Sequence, residues 1–128
     1  FLDFFDRSEN AFISSYRKYY KDGNFDVHVQ YVSKPSVQDK DLILVDSMLA
    51  TGVSMALTYR ELISDEKPRH SHLIAVVASV EGVNYIKRNL SSKNVTIWVG
   101  AIDDELTAEA YIVPGLGDAG DLAFGVKP

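Results

Sequence analysis

Cysteine is absent from the chain. A disulfide framework and a thiolate metal site are therefore excluded, and the composition suits the cytoplasm. Long hydrophobic runs are also missing: no stretch approaches the roughly 20 apolar residues that cross a bilayer, and no basic-then-apolar signal peptide opens the chain. Positive charge is in deficit, with 13 Lys and Arg against 18 Asp and Glu and a formal net charge of −5. That balance argues against a nonspecific nucleic-acid binder, which needs a clustered basic excess. It leaves room for an anionic small molecule, because backbone amides bind anions on acidic proteins too. An initiator methionine is also lacking, since the first residue is Phe1; the expectation is that the chain is a portion of a longer one. What is present is 46% apolar content in 128 residues, enough for one globular domain with a single core.

The pattern along the chain predicts an α/β arrangement. Phe1 to Asp6 is short and apolar and is read as the tail of a helix. Asn10 to Tyr16 and Phe25 to Val32 are read as two strands joined through "KDGN", whose Asp22-Gly23 signals a turn. In the second, Phe25, Val27, Val29 and Tyr31 alternate with Asp26, His28 and Gln30, which predicts a half-buried antiparallel hairpin. Leu42 to Val45 is a continuous apolar run of the kind found in strands covered on both faces. Val53 to Ile63 has near-helical apolar spacing and ends before Pro68. Leu73 to Ala78 predicts a second buried strand, Ser79 a cap, and Val80, Val83, Ile86 and Leu90 one face of the helix that follows. Val95 to Val99 predicts a third strand. Strand, helix, strand, helix, strand is the order of a parallel sheet with right-handed crossovers.

One stretch carries chemistry: "DLILVDSMLATGVS", Asp41 to Ser54. Ligands of open parallel sheets bind beyond the carboxyl ends of the strands. The run predicts a strand ending at Asp46, a loop from Ser47 to Gly52, and a helix starting at Val53. The unpaired amides of that helix start suit an anion. Thr51 and Ser54 add hydroxyl donors, and Asp46 can accept from sugar hydroxyls or face a magnesium ion through water. A phosphorylated sugar fits this set, although a turn followed by a capped helix accounts for the loop equally well. No Gly-Lys-Ser/Thr of a P-loop occurs. Near the other end, Gly115, Gly117 and Gly120 spell a dinucleotide fingerprint. The eight residues that follow Gly120 leave no room for the rest of such a unit, which requires an acid about 20 residues on. The glycines suit close approach of backbone to a flat base.

"ILVDSMLATGVS" resembles the phosphoribosyl-diphosphate (PRPP) motif of type I phosphoribosyltransferases, and "DSMLATGVS" is similar in particular to the loop of uracil phosphoribosyltransferases. "YIVPGLGDAGD" from Tyr111 to Asp121, with "AFG" at Ala123 to Gly125, resembles the uracil-binding segment of that family, and "AIDDEL" between the two also fits. The resemblance implies an α/β phosphoribosyltransferase fold, a parallel sheet with flanking helices plus an antiparallel β-hairpin, in one domain. It implies transfer of a phosphoribosyl group from PRPP to uracil with Mg²⁺, no covalent catalytic residue, no protein metal site and a homo-oligomer. PRPP contacts are implied for Asp46, Ser47, Met48 and Leu49, with Ala50, Thr51, Gly52, Val53 and Ser54 around the 5′-phosphate and Asp46 on the ribose hydroxyls. Arg17 is implied as a phosphate contact. Ile112, Gly117, Asp118 and Ala119 are implied as uracil contacts, with Asp118 also near PRPP.

This chain departs from the family pattern at two positions and at its start. Ser47 replaces a usual Pro. Val53 replaces a usual Gly, which is costly if that position needs positive φ or bare backbone against phosphate. Family members carry a further N-terminal segment with the pyrophosphate loop. A non-catalytic nucleotide-binding regulator on the same fold is the alternative reading. Elsewhere, "RHSH" with His70 and His72 is read as a solvated turn, and Asp103, Asp104 and Glu105 as a solvated acidic loop.

Overall fold

A computed structural model describes residues 2–19 and 25–125, and for residues 17–19, 25–29 and 92 only the backbone is described. Residues 2–7 form turns and not the end of a helix. Leu2, Phe4 and Phe5 are exposed, so no tertiary packing offsets the cost of nucleating so short a helix. Strands β1 (Phe12–Tyr19) and β2 (Phe25–Ser33) then pair antiparallel, with a register shift between Ser14 and Ser15. The Asp22-Gly23 turn lies outside the described residues. The side chains of Phe25, Val27 and Val29 lie outside those described; Phe12 and Tyr31 are 62% and 57% exposed, with ring centroids 6.4 Å apart.

The body of the chain is a three-stranded parallel sheet in the order β3 (Asp41–Leu49), β4 (His70–Ser79), β5 (Val95–Asp103). Helix α1 (Val53–Leu62) links the first pair and α2 (Val80–Asn89) the second. Because the strands are adjacent in sequence order and parallel crossovers are right-handed, both helices lie on one face. Met55, Ala56 and Tyr59 of α1 and Val83 and Ile86 of α2 close over Leu73, Ala75 and Ala78 of β4. Leu42 and Leu44 pack against this core. Within it the Tyr59 hydroxyl and Ser71 Oγ are hydrogen-bonded at 3.1 Å.

The other sheet face is open, which corrects the expectation that β3 is covered on both sides. Val45 is 64% exposed, and Ile43, Val76, Trp98 and Ile102 are exposed with it. His70 and His72 sit in β4 and not in a turn. Their polar neighbours here are on β5: His70 Nε2 meets Thr96 Oγ1 at 2.8 Å, and Trp98 Nε1 donates to His72 Nδ1 at 3.0 Å. Extension of β4 back to His70 follows from ladder pairing of Asp41 with His70, a tertiary constraint that local polarity does not reveal. Two short strands, β6 (Glu105–Leu106) and β7 (Ile112–Val113), pair antiparallel, and α3 (Ala119–Phe124) follows.

Candidate functional site

The carboxyl ends of the parallel strands form one row, in which Leu49 pairs with Ala78 and Ser79 with Asp103. The first segment singled out by sequence leaves this row at the end of β3, and the second is hydrogen-bonded to it at Asp103. Strand β3 runs three residues further than expected, so Ser47, Met48 and Leu49 are strand and not loop. Ladder pairing of Met48 with Val77 and Leu49 with Ala78 holds them there. Asp46 is consequently inside β3, exposed, with Ser47 Oγ 3.5 Å from its Oδ1.

The loop proper is Ala50, Thr51 and Gly52. Gly52 takes φ +81°, a left-handed conformation, and stands at the N-cap of α1, where it offers no capping side chain of its own; Val53 N, at the helix start, donates to Thr51 Oγ1 at 3.5 Å. A Cβ on Gly52 would lie 2.8 Å from Gly82 O, so glycine is required by space as well as by φ. Val53 is the first helical residue and is not among the non-glycine residues with positive φ. The left-handed turn that a glycine at 53 would serve is made one residue earlier, which removes the backbone objection to valine. Thr51, Val53 and Ser54 are half-buried. The first turn of α1 carries no acidic residue, so its amide end is not neutralised by a side chain of its own.

A groove of about 990 Å³ runs along β3 and is lined by Asp46 and Ser54 at one end and by residues 7–15 along one wall. Arg17 lies further along β1, opposite Val27.

The C-terminal segment is tied to the end of β5. Gly115 N donates to Asp103 Oδ2 at 2.9 Å, so Asp103 anchors this loop instead of being a solvated acid. Asp104 and Glu105 are exposed, as expected. Ile112 is buried, and its carbonyl faces Gly115, where a Cβ would come within 2.2 Å. Gly117, at φ +77°, has open space around it. Asp118 caps α3, with Oδ1 accepting from Asp121 N at 3.0 Å and Oδ2 from the Tyr111 hydroxyl at 3.2 Å. Ala119 begins α3, half-buried. Gly117 thus offers accessible backbone, whereas the carboxylate of Asp118 organises the loop.

Displaced titrations lie at the opposite, amino end of the sheet. The Arg69 guanidinium hydrogen-bonds the Asp41 carboxylate and holds it below its ordinary range. Glu66 is also lowered, chiefly by the Val37 backbone N–H at 2.6 Å. Both groups are structural. Among the described residues no group of three or more His, Asp or Glu is arranged to hold a metal.

Two supporting contacts are not legible in the sequence. Ser79 is legible as a helix cap, but its second partner, Ala50, is 29 residues away. Gly82 reads as a weak helix residue, yet a Cβ there would lie 2.3 Å from Ala50 O.

A parallel α/β sheet with helices on one face, a glycine-started helix after its first strand and a glycine loop tied to the end of its last defines the class of protein. Residues 16–126 match the family model described as uracil phosphoribosyltransferase. A uracil phosphoribosyltransferase of Porphyromonas gingivalis is 51% identical over 127 residues, which are 99% of this chain and 58% of that protein. One of Methanococcus maripaludis is 37% identical over 122 residues, 94% of this chain and 51% of its own length. Among solved structures, the AQ2163 protein from Aquifex aeolicus superposes with a TM-score of 0.85 at 30% identity, covering 98% of this chain and 57% of that one. The chain belongs to the uracil phosphoribosyltransferase family, and it spans just over half the length of these relatives.

Proposed function

We propose that this chain carries the nucleotide-forming site of a uracil phosphoribosyltransferase, which joins uracil to PRPP and releases pyrophosphate. The observation that supports it most is the common edge: the Ala50–Gly52 turn leaves the row of strand ends at β3, and the Gly117 loop is tied to the same row through Asp103 at the end of β5. The first suits the 5′-phosphate, through amides at the start of α1 and the hydroxyls of Thr51 and Ser54. Asp46 accepts from the ribose hydroxyls. The second offers backbone at Ile112, Gly117 and Ala119 to the uracil edge. Arg17 is assigned to a phosphate of PRPP.

In the reaction, uracil N1 forms a bond to C1′ as the C1′–O bond to pyrophosphate breaks; the electron pair leaves with pyrophosphate and the N1 proton is lost. The transition state is oxocarbenium-like, so the protein's contribution is orientation and stabilisation of charge, with no covalent intermediate. The donor set fits a magnesium ion that arrives with its ligand. Asp46 offers one carboxylate with the Ser47 hydroxyl nearby, and Mg²⁺ commonly takes one or two carboxylates, completing its shell with phosphate oxygens and water. Asp46 would face the ion through water, and the ion would neutralise charge on the departing pyrophosphate.

A homo-oligomer in the cytoplasm is part of this reading. No helix among the described residues is long and apolar enough to cross a membrane, and the exposed aromatics of the hairpin suit a contact between copies.

The test is conversion of radiolabelled uracil by the full-length protein with PRPP and Mg²⁺; no uridine 5′-monophosphate would overturn the assignment. In the same protein, Asp46→Asn keeps the shape but loses charge-assisted acceptance, and PRPP binding should weaken by about 1.5–3 kcal/mol. Calorimetry showing unchanged PRPP affinity would remove Asp46 from the site.

A further inference from the structure

We infer that Ser79 is a positioning residue for phosphate binding: its hydroxyl fixes the orientation of the Ala50–Thr51 peptide so that the Thr51 N–H faces the ligand. The inference rests on the proposed function and goes beyond it, because Ser79 lies outside both ligand-binding segments.

Ser79 is fully buried at the end of β4. Its Oγ donates to the Ala50 carbonyl at 2.6 Å and accepts from Gly82 N at 2.8 Å. The second bond caps α2. The first reaches a different element, the turn between β3 and α1. Among the described residues the cis peptide is Val113-Pro114, so Ala50–Thr51 is trans, and in a planar trans peptide the C=O and N–H point in opposite directions. Drawing the Ala50 carbonyl inward onto Ser79 therefore turns the Thr51 N–H away from α2, toward the mouth of the loop. Rotation of this peptide would place a carbonyl oxygen where an anion has to bind, exchanging attraction for repulsion.

Two further features hold the same arrangement. Gly82 lets the Ala50 carbonyl lie against α2, since a Cβ there would fall 2.3 Å from that oxygen and 2.6 Å from Leu49 O. The amide end of α2 also favours a carbonyl oxygen directed at it. The start of α2 thus acts as a template for the turn that starts α1.

The test compares Ser79→Ala, Ser79→Cys and Ser79→Thr with the parent full-length protein at a temperature where circular dichroism shows each folded. Ser79→Ala should raise KM for PRPP by roughly three- to tenfold, the worth of one hydrogen bond, and leave KM for uracil within twofold. Ser79→Thr, which keeps the hydroxyl, should restore the PRPP value. Ser79→Cys nearly preserves volume with only a weak donor, and should behave like Ser79→Ala even if the alanine form fails to fold. A cap with no role in the turn would lower the melting temperature without separating the two KM values. Unchanged KM for PRPP in the folded Ala or Cys form overturns the inference while the function stands. A parent protein that neither binds nor turns over PRPP overturns both.

Discussion

Val53 shows how a single position can be misjudged from its neighbours in sequence. Valine is unfavourable at a left-handed site, but Gly52 carries φ +81° and Val53 is an ordinary first residue of α1. Its side chain is half-buried. Val53→Gly should therefore lower stability by about 0.5–1 kcal/mol through added backbone freedom and lost burial, with no gain in PRPP affinity. Thermal melts beside a PRPP titration check this. Binding tightened more than threefold would show that the isopropyl group intrudes on the phosphate. Asp103 makes the complementary case. It stands among adjacent acids that suggest solvation, and only the folded chain brings Gly115 N within 2.9 Å of its carboxylate.

Among the elements, α2 was the most legible. Ser79 followed by apolar residues at helical spacing predicts its start, and the observed Val80–Asn89 agrees. Strand β3 was legible only in part, because its last three residues are held by the β4 ladder and not by an apolar run. At the amino end of the sheet, the β2–β3 connection is fastened to the α1–β4 connection, where Glu66 Oε2 accepts from Val37 N at 2.6 Å, and to the end of α1, where Lys34 Nζ donates to Leu62 O at 2.6 Å. The Glu66 bond makes stability depend on pH. Glu66 is lowered from its ordinary 4.5 in the fold, so the unfolded chain takes up its proton first as pH falls. Its contribution is full above that value and disappears as pH drops through the lower folded value. Glu66→Gln should thus melt below the parent at pH 7, with the gap closing toward pH 3. A gap independent of pH would assign the loss to packing.

At the scale of the whole molecule, two apolar surfaces stand out as uncovered among the described residues. One is the sheet face bearing Val45, Val76, Trp98 and Ile102, and the other is the hairpin with Phe12, Tyr16 and Tyr31. Parallel sheets are ordinarily covered on both faces, and a two-stranded hairpin is marginal without a packing partner. The chain spans 58% of the Porphyromonas gingivalis relative, so the solution state belongs to the full-length protein. That protein should sediment as a species larger than a monomer through the hairpin, and Phe12→Asp combined with Tyr31→Asp should shift it toward monomer. A parent that is a clean monomer at micromolar concentration would end this expectation.

Local patterns determined much of this protein. Helical spacing, the Ser79 cap, the β3–α1–β4–α2–β5 order and the two segments that resemble the family all follow from residues close together in the chain, where periodicity and turn chemistry act. The tertiary structure decided what depends on residues far apart. It set the true length of β3 through the β4 ladder, left one sheet face open because both crossovers have the same hand, and turned Asp103 from a surface acid into an anchor. It also joined Ser79 and Gly82 to Ala50 across 29 and 32 positions. A hydroxyl that caps one helix and orients the turn before another has a single sequence signature, and packing alone supplies its second role.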